Sequence, residues 1–220
     1  MLKHQNNDFS GWIKIDGTDI DCPIYKTEDN NFYINHNSKR NESKFGAVFF
    51  DKKTNFEKQS SNLVIYGNNT VTGSVFSDLY NLRSLDKFKR SSVITLSTPK
   101  EVSNYKIYAL FILNSKKKDD NGKIYNIYLN DFSNERYFND WINEAKERSL
   151  INIPVDVKNT DKIITLVTNA PDFENARFIV MARQVRQNEE LHIDNSLLSL
   201  NPEPVYPQKW YDERNIKKQN

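Results

Sequence analysis

The sequence predicts an all-β fold, a barrel or sandwich, interrupted by helical insertions. Three observations carry this reading. Eight short runs rich in β-branched and aromatic residues are bounded by Gly, Pro, Asn or Ser, the composition that suits a pleated, half-buried surface. Only two segments place apolar residues at helical spacing. The 220-residue chain also carries 13 Phe, 11 Tyr and 3 Trp, many more large apolar side chains than a disordered chain holds, although its mean hydropathy is −0.75. The low value comes from polar residues, 29 Asn among them.

The first two strands are expected at 11–16 and 19–25, joined at Gly17-Thr18 as a hairpin with a glycine-containing turn. Further strands are expected at 45–50, 62–66, 92–98, 104–113, 162–168 and 176–185, which makes eight and suits a closed or sandwiched β-architecture. Ser74 is placed to cap a short helix with Val75, Phe76, Leu79 and Tyr80 on one face and Asp78 near its positive end. The longer helix spans 133–148, where Tyr137, Phe138, Trp141, Ile142 and Ala145 form an amphipathic stripe. Glu135 at its start and Lys146 and Arg148 at its end suit the helix dipole, and Pro154 keeps it from running on. Residues 187–220 differ in composition, with Pro202, Pro204 and Pro207, and read as an extended tail or an arm lying on the body. The organisation is therefore a lead-in at 1–10, one barrel domain at 11–186 and a C-terminal extension at 187–220.

Composition excludes several functions. With 31 Lys plus Arg against 29 Asp plus Glu, the net charge of +2 supplies no attraction to nucleic acid or to an anionic membrane. The longest uncharged apolar run, 107–113, is far short of the ~18 residues a membrane span needs. A single cysteine, Cys22, rules out an intramolecular disulfide framework and a multi-cysteine zinc site. His4, His36 and His192 are too dispersed to form a local metal motif, and neither metal nor cofactor is expected.

Several motifs together resemble the class B sortases, cysteine transpeptidases of Gram-positive cell surfaces. The run Gly-Trp-Ile-Lys-Ile-Asp-Gly-Thr at 11–18 is similar to the family's first hairpin, and Phe-Tyr-Ile-Asn-His at 32–36 to its Tyr-Leu-x-His segment. Tyr66-Gly67-Asn68-Asn69 stands where the family has Tyr-Gly-His-Asn, and residues 73–79 resemble the Gly-Ser-Met-Phe-x-Asp-Leu that follows. Thr165-Leu166-Val167-Thr168-Asn169 is similar to Thr-Leu-x-Thr-Cys, with Arg177 eight residues on. The helix at 133–148 resembles the one that distinguishes class B. The resemblance implies an eight-stranded sortase-like β-barrel with that helix between late strands.

It also implies a mechanism in which a Cys thiolate attacks the Thr carbonyl of a sorting motif of the type Asn-Pro-x-Thr-x, a His protonates the leaving amine and an Arg stabilises the oxyanion. Here Asn68 occupies the His position and Asn169 the Cys position, while Arg177 keeps the oxyanion position. A carboxamide is a very poor nucleophile beside a thiolate and does not shuttle a proton near neutral pH. The expectation is a sortase-like barrel without ordinary transpeptidation, its groove carrying Thr168 and Arg177, with Asp172 the candidate to orient the arginine. Cys22 and His36 fall at positions unlike the family's catalytic ones and read as a small core residue and a structural hydrogen-bonding group. Three readings stay open: a degenerate sortase that binds a sorting-signal-like peptide or a pilus or surface-protein partner, an engineered inactive variant of an active sortase B, and a structural protein on a sortase scaffold. The resemblance places the protein at the outer membrane face or cell wall, although the N-terminal hydrophobic anchor of the family is not expected in this chain.

Overall fold

The computed structural model describes residues 2–57, 60–69, 76–117, 124–129, 132 and 134–216. After a four-residue helix α1 (Leu2–Gln5), the hairpin β1 (Phe9–Ile15) and β2 (Asp21–Tyr25) forms around Gly17, whose φ of +78° lies in the left-handed region. Strand β3 (Val48–Phe50) is shorter than the sequence suggests, because Gly46 adopts φ +64° and turns the chain just before it. Then come β4 (Asn62–Tyr66), α2 (Ser77–Asn81), α3 (Leu85–Phe88), β5 (Val93–Ser97), β6 (Val102–Asn114), α4 (Glu135–Arg148) and β7 (Ile151–Asn152). The chain continues through β8 (Ile163–Asn169), β9 (Ala176–Gln184), β10 (Ser199–Leu200) and α5 (Gln208–Glu213). Ser74 and Val75 lie outside the described residues. The four-residue α3 has no counterpart in the sequence reading, being too short to show a periodicity.

Eight strands close a barrel in the order β1-β2-β3-β4-β8-β9-β6-β5. Two neighbours are parallel, β2 with β3 and β4 with β8; the others pair antiparallel. The core is filled from every wall by side chains with no exposed surface, among them Ile13, Phe50, Ile65, Ile94, Leu110, Leu166 and Val180. Helix α4 is capped by Asn134, whose side chain accepts from the Tyr137 N–H. It presses Phe138, Trp141, Ile142 and Ala145 onto the body. Tyr137, included in the expected stripe, instead stands 50% exposed, at the edge of the apolar arc.

Residues 187–216 lie on the body as an arm. Its strand β10 pairs with β7, Leu198 is buried, the Val205 N–H donates to the Glu147 carbonyl at 3.0 Å, and Tyr206 stacks on Trp210 with ring centroids 3.8 Å apart. Near its root, Arg183 is 1% exposed and donates to both carboxylate oxygens of Glu189 at 2.6 Å. Asp156, Asp161, Lys106 and Arg186 complete a charged network there. Among the described residues no helix is long and apolar enough to cross a membrane.

Candidate functional site

The parallel pairing of β4 and β8 builds the site. Tyr66, the last residue of β4, is in register with Val167, so Gly67 and Asn68 leave β4 alongside Thr168 and Asn169, which end β8. Gly67 N–H donates to the Val167 carbonyl at 3.1 Å, the Thr168 hydroxyl donates to the Gly67 carbonyl at 2.7 Å, and the Asn69 side chain donates to the Asn169 carbonyl at 3.1 Å. Residues a hundred positions apart are thus sewn into one strand end. Gly67 is needed at this crowded point: a Cβ there would meet the Phe76 ring at 2.5 Å.

The antiparallel pairing of β8 with β9 adds Arg177. It stands directly opposite Asn169, and directly opposed residues project to the same face. Asn169 and Arg177, with Asn68 and Thr168 beside them, line one cavity of about 510 Å³. A second cavity of about 640 Å³ continues from it past Tyr66, Ser115, Tyr128, Val167 and Arg177, which line both. Its far wall is the 124–127 segment, held by Tyr125 stacked on Trp141 and by the Trp141 indole N–H donating to the Asn126 carbonyl at 2.7 Å.

Each side chain has a defined chemistry. The Asn68 amide donates to the carbonyls of Ile34 at 2.7 Å and Phe45 at 3.3 Å, tethering the loop between β2 and β3 to the site. Gly46 leaves the room for this contact, since a Cβ on it would come within 2.8 Å of the Asn68 nitrogen. Asn169 is exposed to the groove. Thr168 is 2% exposed and its hydroxyl holds the Gly67 carbonyl, so it is a strut in the cavity wall. Arg177 is half-buried and donates to the Ala176 carbonyl at 2.9 Å; burial lowers its pKa, with Tyr128 partly offsetting the effect.

Asp172 does not orient Arg177. Its carboxylate accepts from the Tyr80 hydroxyl at 2.9 Å and lies 3.8 Å from Arg83 and 4.0 Å from Arg214. The loop between β8 and β9 turns it toward α2 and the C-terminal arm, away from the groove. The pair Tyr66 and Tyr128 had no place among the expected site residues. Their hydroxyls lie 2.6 Å apart, and the Tyr66 hydroxyl donates to Asp51 at 3.1 Å, so Tyr128 is the donor between the two. Burial, then Tyr128 and Asp51, raise the pKa of Tyr66 well above the usual phenol range. Tyr66 falls within the motif at 66–69, but nothing in the sequence around Tyr128 announces it.

Neither of the other reactive groups belongs to the site. Cys22 is on β2 opposite Ile13, 9% exposed, and burial with the neighbouring Asp21 pushes its thiol up to about 12. His36 stacks on Phe32 at 4.0 Å, and its Nδ1 lies 2.9 Å from the Phe32 carbonyl. Among the described residues no group of His, Cys, Asp and Glu is arranged to hold a metal ion.

A family model for the sortase domain matches residues 13–185. The chain belongs to the sortase family. Its relatives place this sortase in class B: Sortase B of Listeria monocytogenes is 32% identical over 186 residues, covering 84% of this chain and 72% of that protein. Sortase B of Staphylococcus aureus is 25% identical over 187 residues, covering 84% of this chain and 73% of that protein. Among solved structures, Clostridium perfringens sortase B superposes with a TM-score of 0.74 at 30% identity, covering 84% of this chain and 98% of that one. The sortase-domain match stops before the C-terminal arm.

Proposed function

We propose that this chain is a class B sortase whose groove holds a sorting-signal-like peptide, from a surface or pilus protein at the cell surface, without performing transpeptidation. The observation that carries this reading is the pair of carboxamides at the reacting end of the groove. Acyl transfer through a thioester needs a soft nucleophile and a proton carrier within reach of one carbonyl. The strand end that supplies those groups in the family supplies Asn169 and Asn68 here, and Asn68 is occupied in holding the β2–β3 loop. The sole thiol is sealed in the barrel wall in its neutral form. Binding capacity is retained in the two connected cavities and the guanidinium between them. No described residue of 187–216 lines either cavity, which favours a binding groove over a scaffold blocked by its own arm.

Mass spectrometry of the protein incubated with peptides of the type Asn-Pro-x-Thr-x is expected to show neither cleavage nor an acyl-enzyme, while calorimetry shows binding. Turnover that persists in Cys22→Ala overturns the non-catalytic reading. An affinity unchanged in Arg177→Ala removes Arg177 from the site.

A further inference from the structure

We propose that Arg177 and Asn169 form a receptor for a peptide carboxylate, so that the groove selects peptides that bring a negative charge to this point over neutral ones. This rests on the peptide-binding reading above and specifies its ligand. Arg177 is half-buried on β9, and among the described residues it forms no ion pair; its bond to the Ala176 carbonyl uses one of five guanidinium donors. It lies where the two cavities meet. The described residues lining them include a second cation, Lys117, and no Asp or Glu, in a chain whose charges otherwise nearly balance.

A partly desolvated cation gains most from an anion that satisfies its remaining donors as a fork. A thiolate at 169 would supply an anion from within the chain, directly across the strand pair. The carboxamide of Asn169 is neutral and leaves that position to the ligand, while its NH₂ adds a donor on the same face. A neutral peptide carbonyl accepts the hydrogen bonds but leaves the charge uncompensated.

The test is calorimetry on the full chain at fixed ionic strength with three versions of one peptide: acetyl-Asn-Pro-Ala-Thr with a free C-terminal carboxylate, the same peptide as its amide, and the amide with Asp in place of Thr. The free acid is expected to bind about tenfold or more tighter than the Thr amide, the size of one charge-assisted contact. Recovery of that affinity by the Asp version assigns the preference to a side-chain carboxylate, and its absence to a chain terminus; each supports a carboxylate receptor. Asn169→Asp, which places the protein's own carboxylate opposite Arg177, is expected to cut the acid-to-amide ratio to about twofold or less while the amide still binds. Equal affinities for acid and amide in the unsubstituted protein overturn the carboxylate receptor and leave the peptide-binding reading standing. No binding of any version overturns that reading and the receptor with it. A motif-independent readout uses acetylthreonine and its amide at millimolar concentration: the acid is expected to shift the Arg177 Nε–H and Asn169 NH₂ resonances and the amide to leave them in place, and identical responses overturn the proposal.

Discussion

Asn169 and Arg177 face each other across β8 and β9 as a non-hydrogen-bonded pair. The Ala170 N–H donates to the Ala176 carbonyl at 3.2 Å, so the hydrogen-bonded rung is the neighbouring one. Such a pair brings side chains closest, with Cβ atoms about 4.5–5.5 Å apart. A nucleophile and an oxyanion donor placed on these two positions share one substrate carbonyl. Asn169→Cys combined with Asn68→His is therefore expected to yield an acyl-enzyme detectable by mass spectrometry and to raise cleavage of a sorting-motif peptide by on the order of 10³ or more, since proton transfer alone contributes about 10²–10⁴. Continued inactivity of the folded double variant would mean that the groove no longer presents the carbonyl to this pair.

The Cys22 thiol is expected to resist alkylation at pH 8 in the native protein and to react readily in denaturant. Its folded pKa is raised from 9.0 to about 12, so between these values the unfolded chain has lost a proton that the native chain keeps, and stability falls as pH rises. The slope reaches about 1.4 kcal/mol per pH unit for a single group. Denaturant titrations between pH 8.5 and 10 should show a shallower slope in Cys22→Ala; identical slopes would place the thiol in a more hydrated setting.

Glu189 holds a buried cation. Arg183, then the Arg186 N–H and Lys106, keep its carboxylate well below the usual range against the opposing effect of burial. A depressed folded pKa contributes stability that is fully present above the unfolded value of 4.5 and lost as pH falls below it. Glu189→Ala removes the nearest anion from the 1%-exposed Arg183, leaving it the carboxylates of Asp156 and Asp161 and the carbonyls of Asp156 and Gln184, and is expected to cost about 3 kcal/mol in chemical denaturation at pH 7. A loss below about 0.5 kcal/mol would show the pair to be as weak as a surface ion pair.

Gly46→Ala strains a φ of +64° and drives a Cβ to within 2.7 Å of the Ile34 carbonyl oxygen and 2.8 Å of the Asn68 nitrogen. The expected cost is about 1–3 kcal/mol, with the Asn68 side-chain NH₂ resonance shifted in NMR spectra as its tether to Ile34 and Phe45 is displaced. A stability loss without that shift would mean the strain is absorbed away from the site.

The C-terminal arm reaches the loop between β8 and β9. Trp210 stacks on Tyr206, Arg214 covers the Trp210 ring at 4.3 Å, and the same arginine approaches Asp172 at 4.0 Å. Trp210→Ala is expected to cost about 1–2 kcal/mol of buried apolar surface and to raise amide hydrogen exchange at 170–175 as well as along the arm. Faster exchange confined to the arm would uncouple the two.

The sequence alone determined the eight barrel strands, the long helix and the family, because alternating β-branched runs, turn residues and an apolar stripe are local patterns that one face of a strand or helix imposes. It also showed carboxamides at 68 and 169 and one arginine after them, since residue identity needs no folding to be read. Tertiary structure decided what those groups touch. The parallel register of β4 and β8 joins residues a hundred positions apart, a relation with no local signature. The same is true of Tyr128 on Tyr66 and of the arm on the β8–β9 loop. Asp172 shows the limit most clearly: five residues from Arg177 in sequence, it faces Tyr80 and Arg83 because the turn between the strands rotates its side chain out of the groove. Strand pairing and loop direction are set by contacts made after the chain closes on itself, and they decided that Arg177 would stand in the groove with a neutral partner.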